Sequence, residues 1–159
     1  MRTFSLNTEL WLPRSPEDVF PFFADARNLE TITPPFLRFS VLTPAPIHMA
    51  TGTLIDYRLR LRGVPIRWRT RIAAWEPPHR FIDEQLKGPY RLWHHEHLFM
   101  PEDGGTRCVD RVTYAVPGGP GLEGLIERGF VRRDVERIFE YRRARLAELF
   151  TRLPSYTSA

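Results

Sequence analysis

The sequence predicts an α+β domain in which a curved antiparallel sheet of about seven strands wraps on one long C-terminal helix, with two short helices after the first strand. Three observations carry this reading. Apolar and charged residues alternate with a period of two through most of 54–116, and clusters of Gly, Pro and Asp interrupt the alternation at short intervals. From Gly121 to about Arg152 the apolar spacing changes to three or four residues. A period of two marks strands with one wet face and a period of three to four marks an amphipathic helix. Strands in hairpin succession close into an antiparallel sheet.

Each element has its own signal. Phe4–Leu12 alternates Leu6, Leu10 and Leu12 with polar residues and reads as the first strand. Ser15-Pro16-Glu17-Asp18 supplies an N-cap, a proline at the first helical position and an acid at the third, after which Val19, Phe20 and Phe23 form one apolar stripe. A second short helix is expected from Asp25, ending before Pro34-Pro35, and Phe39–Thr43 reads as a strand. Ile55, Tyr57, Leu59 and Leu61 take one parity and Ile66, Trp68, Thr70 and Ile72 continue it beyond Gly63-Val64, which predicts a hairpin. A two-residue loop at Gly63-Val64 sets Leu59 opposite Trp68 and Tyr57 opposite Thr70. On the wet face it sets Arg60 opposite Arg67 and Arg58 opposite Arg69. Further strands, Arg80–Leu86, Tyr90–Met100 and Arg107–Val116, are separated by Lys87-Gly88-Pro89 and by the turn cluster after Met100. The final helix carries Leu122, Leu125, Ile126, Val131, Val135, Ile138, Phe139, Leu146 and Leu149, with Gly129 as a point of bending.

Composition bounds the function. A chain of 159 residues with 42% hydrophobic and 13% aromatic content fits one domain, expected over 1–153 with 154–159 as a frayed tail. No apolar run reaches membrane-span length, so a soluble, cytoplasmic protein is expected. The lone Cys108 excludes an internal disulfide and a cysteine-based zinc cage. The net charge of +4 is carried by arginine, since Lys87 is the only lysine. Like charges across a ladder are unfavourable, so Arg58, Arg60, Arg67 and Arg69 call for an acidic neighbour such as Glu84 or for weak contact with an anionic surface. Specific nucleic-acid recognition is not expected, because this face lacks interleaved aromatics.

Three histidines and a glutamate stand together in Tyr90–Phe99, but parity divides them: Trp93, His95, His97 and Phe99 share one face, and Leu92, His94, Glu96 and Leu98 the other. The face with two aromatics is assigned to the interior. Pairing Met100 with Arg107 puts His97 opposite Asp110 and His95 opposite Val112, and a turn at Pro89 brings Asp83 beside His95. The result is a polar seam of Asp83, His95, His97 and Asp110 across a wall of Tyr57, Trp68, Phe81, Trp93 and Tyr114. Buried carboxylates need partners, so the seam reads as a satisfied network, as the polar end of a ligand pocket, or as an acid/base centre. His95, His97 and Asp110 also offer two imidazoles and a carboxylate to a metal, although ordinary packing explains the same spacing. There is no phosphate loop, dinucleotide motif or nucleophile elbow, so no cofactor is expected, and packing is preferred to a metal at the seam, so no metal is expected.

The order of elements resembles the helix-grip fold of the START and Bet v 1-like superfamily, also called SRPBCC. The stretches that carry the likeness are Asp25-Ala26-Arg27-Asn28-Leu29-Glu30, Thr33-Pro34-Pro35, Trp75-Glu76-Pro77-Pro78 and Gly88-Pro89-Tyr90. More narrowly the chain looks like the bacterial branch described as polyketide cyclase/dehydrase or lipid-transport-like. The resemblance implies a cavity between sheet and long helix for a small hydrophobic molecule: aromatic, polyketide-like or lipid-like. The expected lining is Tyr57, Leu59, Trp68, Phe81, Asp83, Trp93, His95, His97, Asp110 and Tyr114, with Leu122, Ile126 and Phe130 from the first helical turns. Two functions stay open, a carrier-type binding protein and a cofactor-independent cyclase, dehydratase or hydrolase. In the second, His95 or His97 would exchange protons while Asp110 orients it.

Overall fold

The computed structural model describes residues 1–152; the expected tail, 154–159, lies outside the described residues. The chain runs β1 (Phe4–Leu12), α1 (Pro16–Ala24), α2 (Asn28–Thr31), a 3₁₀ turn at Pro35–Leu37, β2 (Ser40–Val41), β3 (Leu54–Leu61) and β4 (Val64–Glu76). It continues through β5 (Arg80–Lys87), β6 (Leu92–Glu102), β7 (Gly105–Ala115), α3 (Glu123–Ile126), a π turn at Glu127–Val131 and α4 (Arg132–Arg152). The strands form one antiparallel seven-stranded sheet in the order β1-β7-β6-β5-β4-β3-β2. This is the helix-grip arrangement expected from the order of elements.

Local chemistry sets the boundaries. Ser15 Oγ accepts from Asp18 N at 3.3 Å and Pro16 occupies the first turn of α1. The second helix begins later than its sequence suggests, because Asp25 Oδ1 accepts from Arg27 N at 3.0 Å and holds a side-chain turn there. β6 likewise begins after Tyr90, whose N–H and carbonyl are both taken by the Gln85 side-chain amide, at 3.1 and 2.7 Å. The last helix starts at Glu123, since Gly121 sits at φ 93°. Gly129 falls inside the π turn, where the helix is locally unwound.

The β3–β4 hairpin turns on Arg62-Gly63, with φ of 49° and 80°, and not on Gly63-Val64. A two-residue turn with both centres at positive φ matches the strand twist, and a β-branched valine does not tolerate that conformation. The register therefore shifts by two residues while parity is kept: Tyr57 faces Trp68, Leu59 faces Ile66, Arg58 faces Arg67 and Arg60 faces Pro65. Arg69 is relieved by Asp56, which accepts from it twice, at 2.8 and 3.1 Å, and Arg71 is relieved by Glu84 at 2.9 Å. Gly63→Ala is expected to cost about 1–2 kcal/mol for placing a Cβ at that φ. Gly119→Ala, where a Cβ meets nothing within 4 Å, serves as the neutral control, and urea denaturation of both variants measures the difference.

Register shifts near Arg69–Thr70 and Ile72–Ala74 bend β4 against β5. The concave face so formed does not hold one continuous core. Phe20, Phe23, Phe81, Phe99 and Leu146 make a cluster under α1, Tyr114, Val116, Val135 and Phe139 a second at the start of α4, and Ala26, Ile55, Tyr57 and Ile72 a third on β3–β4. Among the described residues no helix is long and apolar enough to cross a membrane.

Candidate functional site

The three clusters surround a cavity of about 180 Å³. Its sheet wall is Ile55, Tyr57, Leu59 and Leu61 from β3, Trp68, Thr70 and Ile72 from β4, Phe81 and Asp83 from β5, and Trp93, His95 and His97 from β6. α4 contributes Ile138, Phe139 and Arg142, and the stretch between α1 and β3 closes the remaining side with Ala26, Leu29, Thr33, Leu37, Phe39 and Met49. Trp68, Trp93 and Tyr90 pack edge-on or tilted at 4.8–5.6 Å. Apart from Thr33, Thr70 and the Tyr57 hydroxyl, the wall is apolar except at one place.

That place is the Asp–His seam. Along the backbone, β6 and β7 pair His97 with Asp110 and β5 and β6 pair Asp83 with His95. The side chains cross: His95 Nε2 lies 2.7 Å from Asp110 Oδ1, and His97 Nε2 lies 2.6 Å from Asp83 Oδ2. The along-register distances are longer, 3.3 Å for His97–Asp110 and 3.6 Å for His95–Asp83. The crossing lets the two imidazoles stack at 3.6 Å, with Phe81 stacked at 3.9 Å on the outer face of His97. Arg142 arrives from α4, its Nη2 at 3.4 Å from His97 Nδ1 and 3.9 Å from Asp110, and its guanidinium lies 5.6 Å from the ring centre of Phe23. Arg142 Nε is buried without a hydrogen-bond partner. Thr8 Oγ1 donates to Asp110 at 3.4 Å.

Burial decides the charge states. Burial, with His97 alongside, pushes His95 down to about 4 despite the two carboxylates. Burial alone would raise both carboxylates, but Arg142, His95 and His97 together hold Asp110 well below the usual carboxylate range, and His95, His97 and Arg142 lower Asp83. At neutral pH His95 is therefore a neutral ring. If Asp110 takes its Nε2–H, the Nδ1 lone pair is left without a hydrogen bond among the described residues. Burial also pushes the Cys108 thiol up to about 12, which keeps it an inert member of the wall.

Donor atoms of Asp83, His95 and His97 lie within 4.8 Å of one another, so these three residues could be drawn around a metal. The stacked rings oppose it, because face-to-face imidazoles direct their lone pairs in parallel and not toward one point. Each Nε2 is also already paired with a carboxylate.

Of the residues singled out in the sequence, Tyr57, Leu59, Trp68, Phe81, Asp83, Trp93, His95 and His97 line the cavity. Asp110 stands behind His95, in a small void shared with Thr8, Cys108 and Arg142. Tyr114 is buried elsewhere, donating to Glu127 at 2.8 Å. Leu122 and Phe130 are exposed, and Ile126 packs against the Tyr114 cluster. The helix crosses the cavity about four turns after its start at Glu123. Arg142 was missed, although an arginine within the stripe Val135, Phe139, Arg142, Leu146 was a readable signal. The 26–49 wall had none, since it follows no period.

Comparison with known proteins gives a consistent result. The family model of polyketide cyclase / dehydrase and lipid transport proteins matches residues 12–140. No curated protein matches the sequence. Among solved structures, the Zhui aromatase/cyclase from Streptomyces sp. R1128 is 16% identical, with 95% of each chain covered and a TM-score of 0.74. The di-domain ARO/CYC StfQ from the steffimycin biosynthetic pathway is 17% identical over 93% of this chain and 50% of its own, with a TM-score of 0.71. Ara h 8.0201 is 15% identical over 90% of this chain and 97% of its own, at 0.63. Likenesses at this identity carry the fold.

Proposed function

The chain belongs to the polyketide cyclase / dehydrase and lipid transport family, and from that premise we propose that it binds a small hydrophobic, ring-containing molecule in the cavity between sheet and α4. The observation that carries the reading is an apolar cavity with one polar end. Ligand pockets are built this way, with a few placed polar groups fixing orientation. A volume of about 180 Å³ is of the order of the ~150 Å³ engineered apolar cavity that accepts benzene. The ligand's apolar body would lie against Trp68, Trp93 and Leu59, and its hydroxyl or carbonyl against Asp83, His95 and Arg142.

Native mass spectrometry of protein purified from its own host, together with titration of a fluorescent hydrophobic probe, tests this. Trp93→Ala is expected to weaken probe binding about tenfold, from the loss of about 50 Å² of apolar contact at ~25 cal/mol per Å². Trp11→Ala should leave it unchanged, since Trp11 is 39% exposed and outside the cavity lining. Equal effects would show that the probe reports loosened packing instead of a site.

A second reading, cofactor-independent cyclase or dehydratase chemistry, is favoured by the state of His95. The neutral imidazole at the cavity wall, oriented from behind by Asp110, carries a free lone pair that could take a proton from a bound molecule, but burial makes it a weak base, so the proton would have to come from a comparably acidic group. Asp83 at 3.6 Å and Asp110 at 2.7 Å would flank the imidazolium so formed. His95→Phe that retains probe binding and loses turnover would separate this reading from simple carriage.

A further inference from the structure

Beside the inner cavity, and sharing Leu37 and Leu61 with its wall, lies an outer pocket of about 240 Å³. It opens between the Pro35–Leu37 turn, the Arg62-Gly63 hairpin and the first turns of α4. Besides those two leucines and Phe36, its lining residues are Arg62, Arg133, Arg137 and the acidic Asp134. Three positive groups against one negative leave an excess of two.

The pairing within this set is uneven. Arg62 meets Asp134 at 3.2 Å and lies over the Phe130 ring at 5.1 Å. Arg137 lies over the Phe36 ring at 4.8 Å and has no carboxylate partner among the described residues. Arg133 has no ion pair, hydrogen bond or ring contact among them. Phe36 is 51% and Phe130 56% exposed, so rings of large area stand at a charged rim. Guanidiniums held over aromatic rings keep their hydrogen-bonding edges free for an oxyanion, and arginine binds carboxylate or phosphate through two parallel hydrogen bonds. A surface whose only task was solubility would not need its arginines gathered at an apolar depression that adjoins the cavity.

We propose that the outer pocket binds the anionic end, carboxylate or phosphate, of an amphiphile whose apolar body occupies the inner cavity. This rests on the reading of the inner cavity as a hydrophobic ligand site, and the ligand class it adds is a ring-bearing organic acid or phosphate ester. Arg133 and Arg137 take the oxyanion, while Asp134 withholds Arg62 from it and sets the upper limit on affinity.

The test uses three probes of one apolar body, naphthylbutanoate, naphthylbutyl phosphate and the neutral naphthylbutanamide, titrated calorimetrically. The amide should bind the wild type and the Arg133→Gln/Arg137→Gln variant equally. The two anions should bind the wild type about tenfold tighter than the amide, roughly one strong charge-assisted contact, and the variant should lose that preference. Asp134→Asn, which frees Arg62, should increase the preference. Physiological salt, with a screening length of about 8 Å, should reduce the preference without abolishing it. Equal binding of amide and anions by the wild type would overturn the head-group site while leaving the cavity reading intact. Failure of the amide to bind at all would instead overturn the cavity reading. Co-sedimentation with phosphatidylglycerol vesicles separates the source of the anion: loss of vesicle binding in the double variant, with no preference among the free probes, would assign the arginines to a bilayer surface and overturn the proposal.

Discussion

Asp110→Leu is expected to destabilise the protein by about 3 kcal/mol, and His95→Phe combined with Asp110→Leu to recover about 1–2 kcal/mol of that loss. Asp110 accepts from His95 at 2.7 Å and Thr8 at 3.4 Å and is the nearest carboxylate to Arg142, at 3.9 Å. Removing it leaves an imidazole N–H and part of a buried guanidinium uncompensated. Breaking a buried charged pair from one side costs about 3–5 kcal/mol, and the side chain's 18% exposure places this site at the lower end. Replacing the imidazole as well removes one of the two orphans but leaves Arg142, so recovery is partial. The control is His97→Phe with Asp110→Leu. These two residues face each other along the ladder, yet His97 gives its short contact to Asp83, so their coupling should be the smaller. Urea denaturation of the single and double variants measures both cycles. A larger coupling for His97 with Asp110 would mean that the side chains follow the ladder and do not cross.

That crossing marks where sequence reasoning stops. Parity places Tyr57, Leu59, Trp68, Phe81, Trp93, His95 and His97 on the concave face, because a strand's side chains alternate whatever surrounds them. The β6–β7 register followed from the turn, and His97 does face Asp110 along the backbone. Register sets Cα positions but not rotamers, and the rotamers were settled by the stacking of Phe81, His97 and His95 and by Arg142 arriving from α4. No spacing within β5–β7 could supply that. The hairpin lies one residue earlier than its spacing suggests for a local reason: a turn on Gly63-Val64 would put a β-branched valine at positive φ, whereas Arg62 and Gly63 take φ of 49° and 80°. The helix was legible as a stripe, yet which turns of it cross the cavity depends on its angle to the sheet. This is why Leu122, Ile126 and Phe130 were placed there in error and Ile138, Phe139 and Arg142 were overlooked. The arginine face was half legible: Glu84 relieves Arg71 as anticipated, while Asp56, which the expected register sets opposite Arg71, faces and relieves Arg69 instead.

Lowering the pH from 7 toward about 4.5 should cost the folded protein about 2–3 kcal/mol through His95 alone. The ring is held down at about 4 against an ordinary value of 6.5. Between those values the unfolded chain binds a proton that the native protein refuses, so the unfolded state gains and stability falls as pH falls. Above 6.5 neither state carries the proton and the effect vanishes. The titratable groups facing the ring are Asp83 on β5, His97 on β6 and Asp110 on β7, and Arg142 of α4 reaches His97 and Asp110 behind them. The two carboxylates are held below their ordinary value of 3.8, so the stability they supply is present above that value and is lost only further into acid. The two windows are thus separable, with the imidazole acting first. The variant carrying His95→Phe and Asp110→Leu should start less stable at pH 7 but lose less between pH 7 and about 4.5, because the titrating ring is gone. Chemical denaturation across that range gives the slope for each protein. Equal slopes would show that His95 accepts its proton in the native state at its ordinary value, and that burial does not hold the ring neutral below pH 6.5.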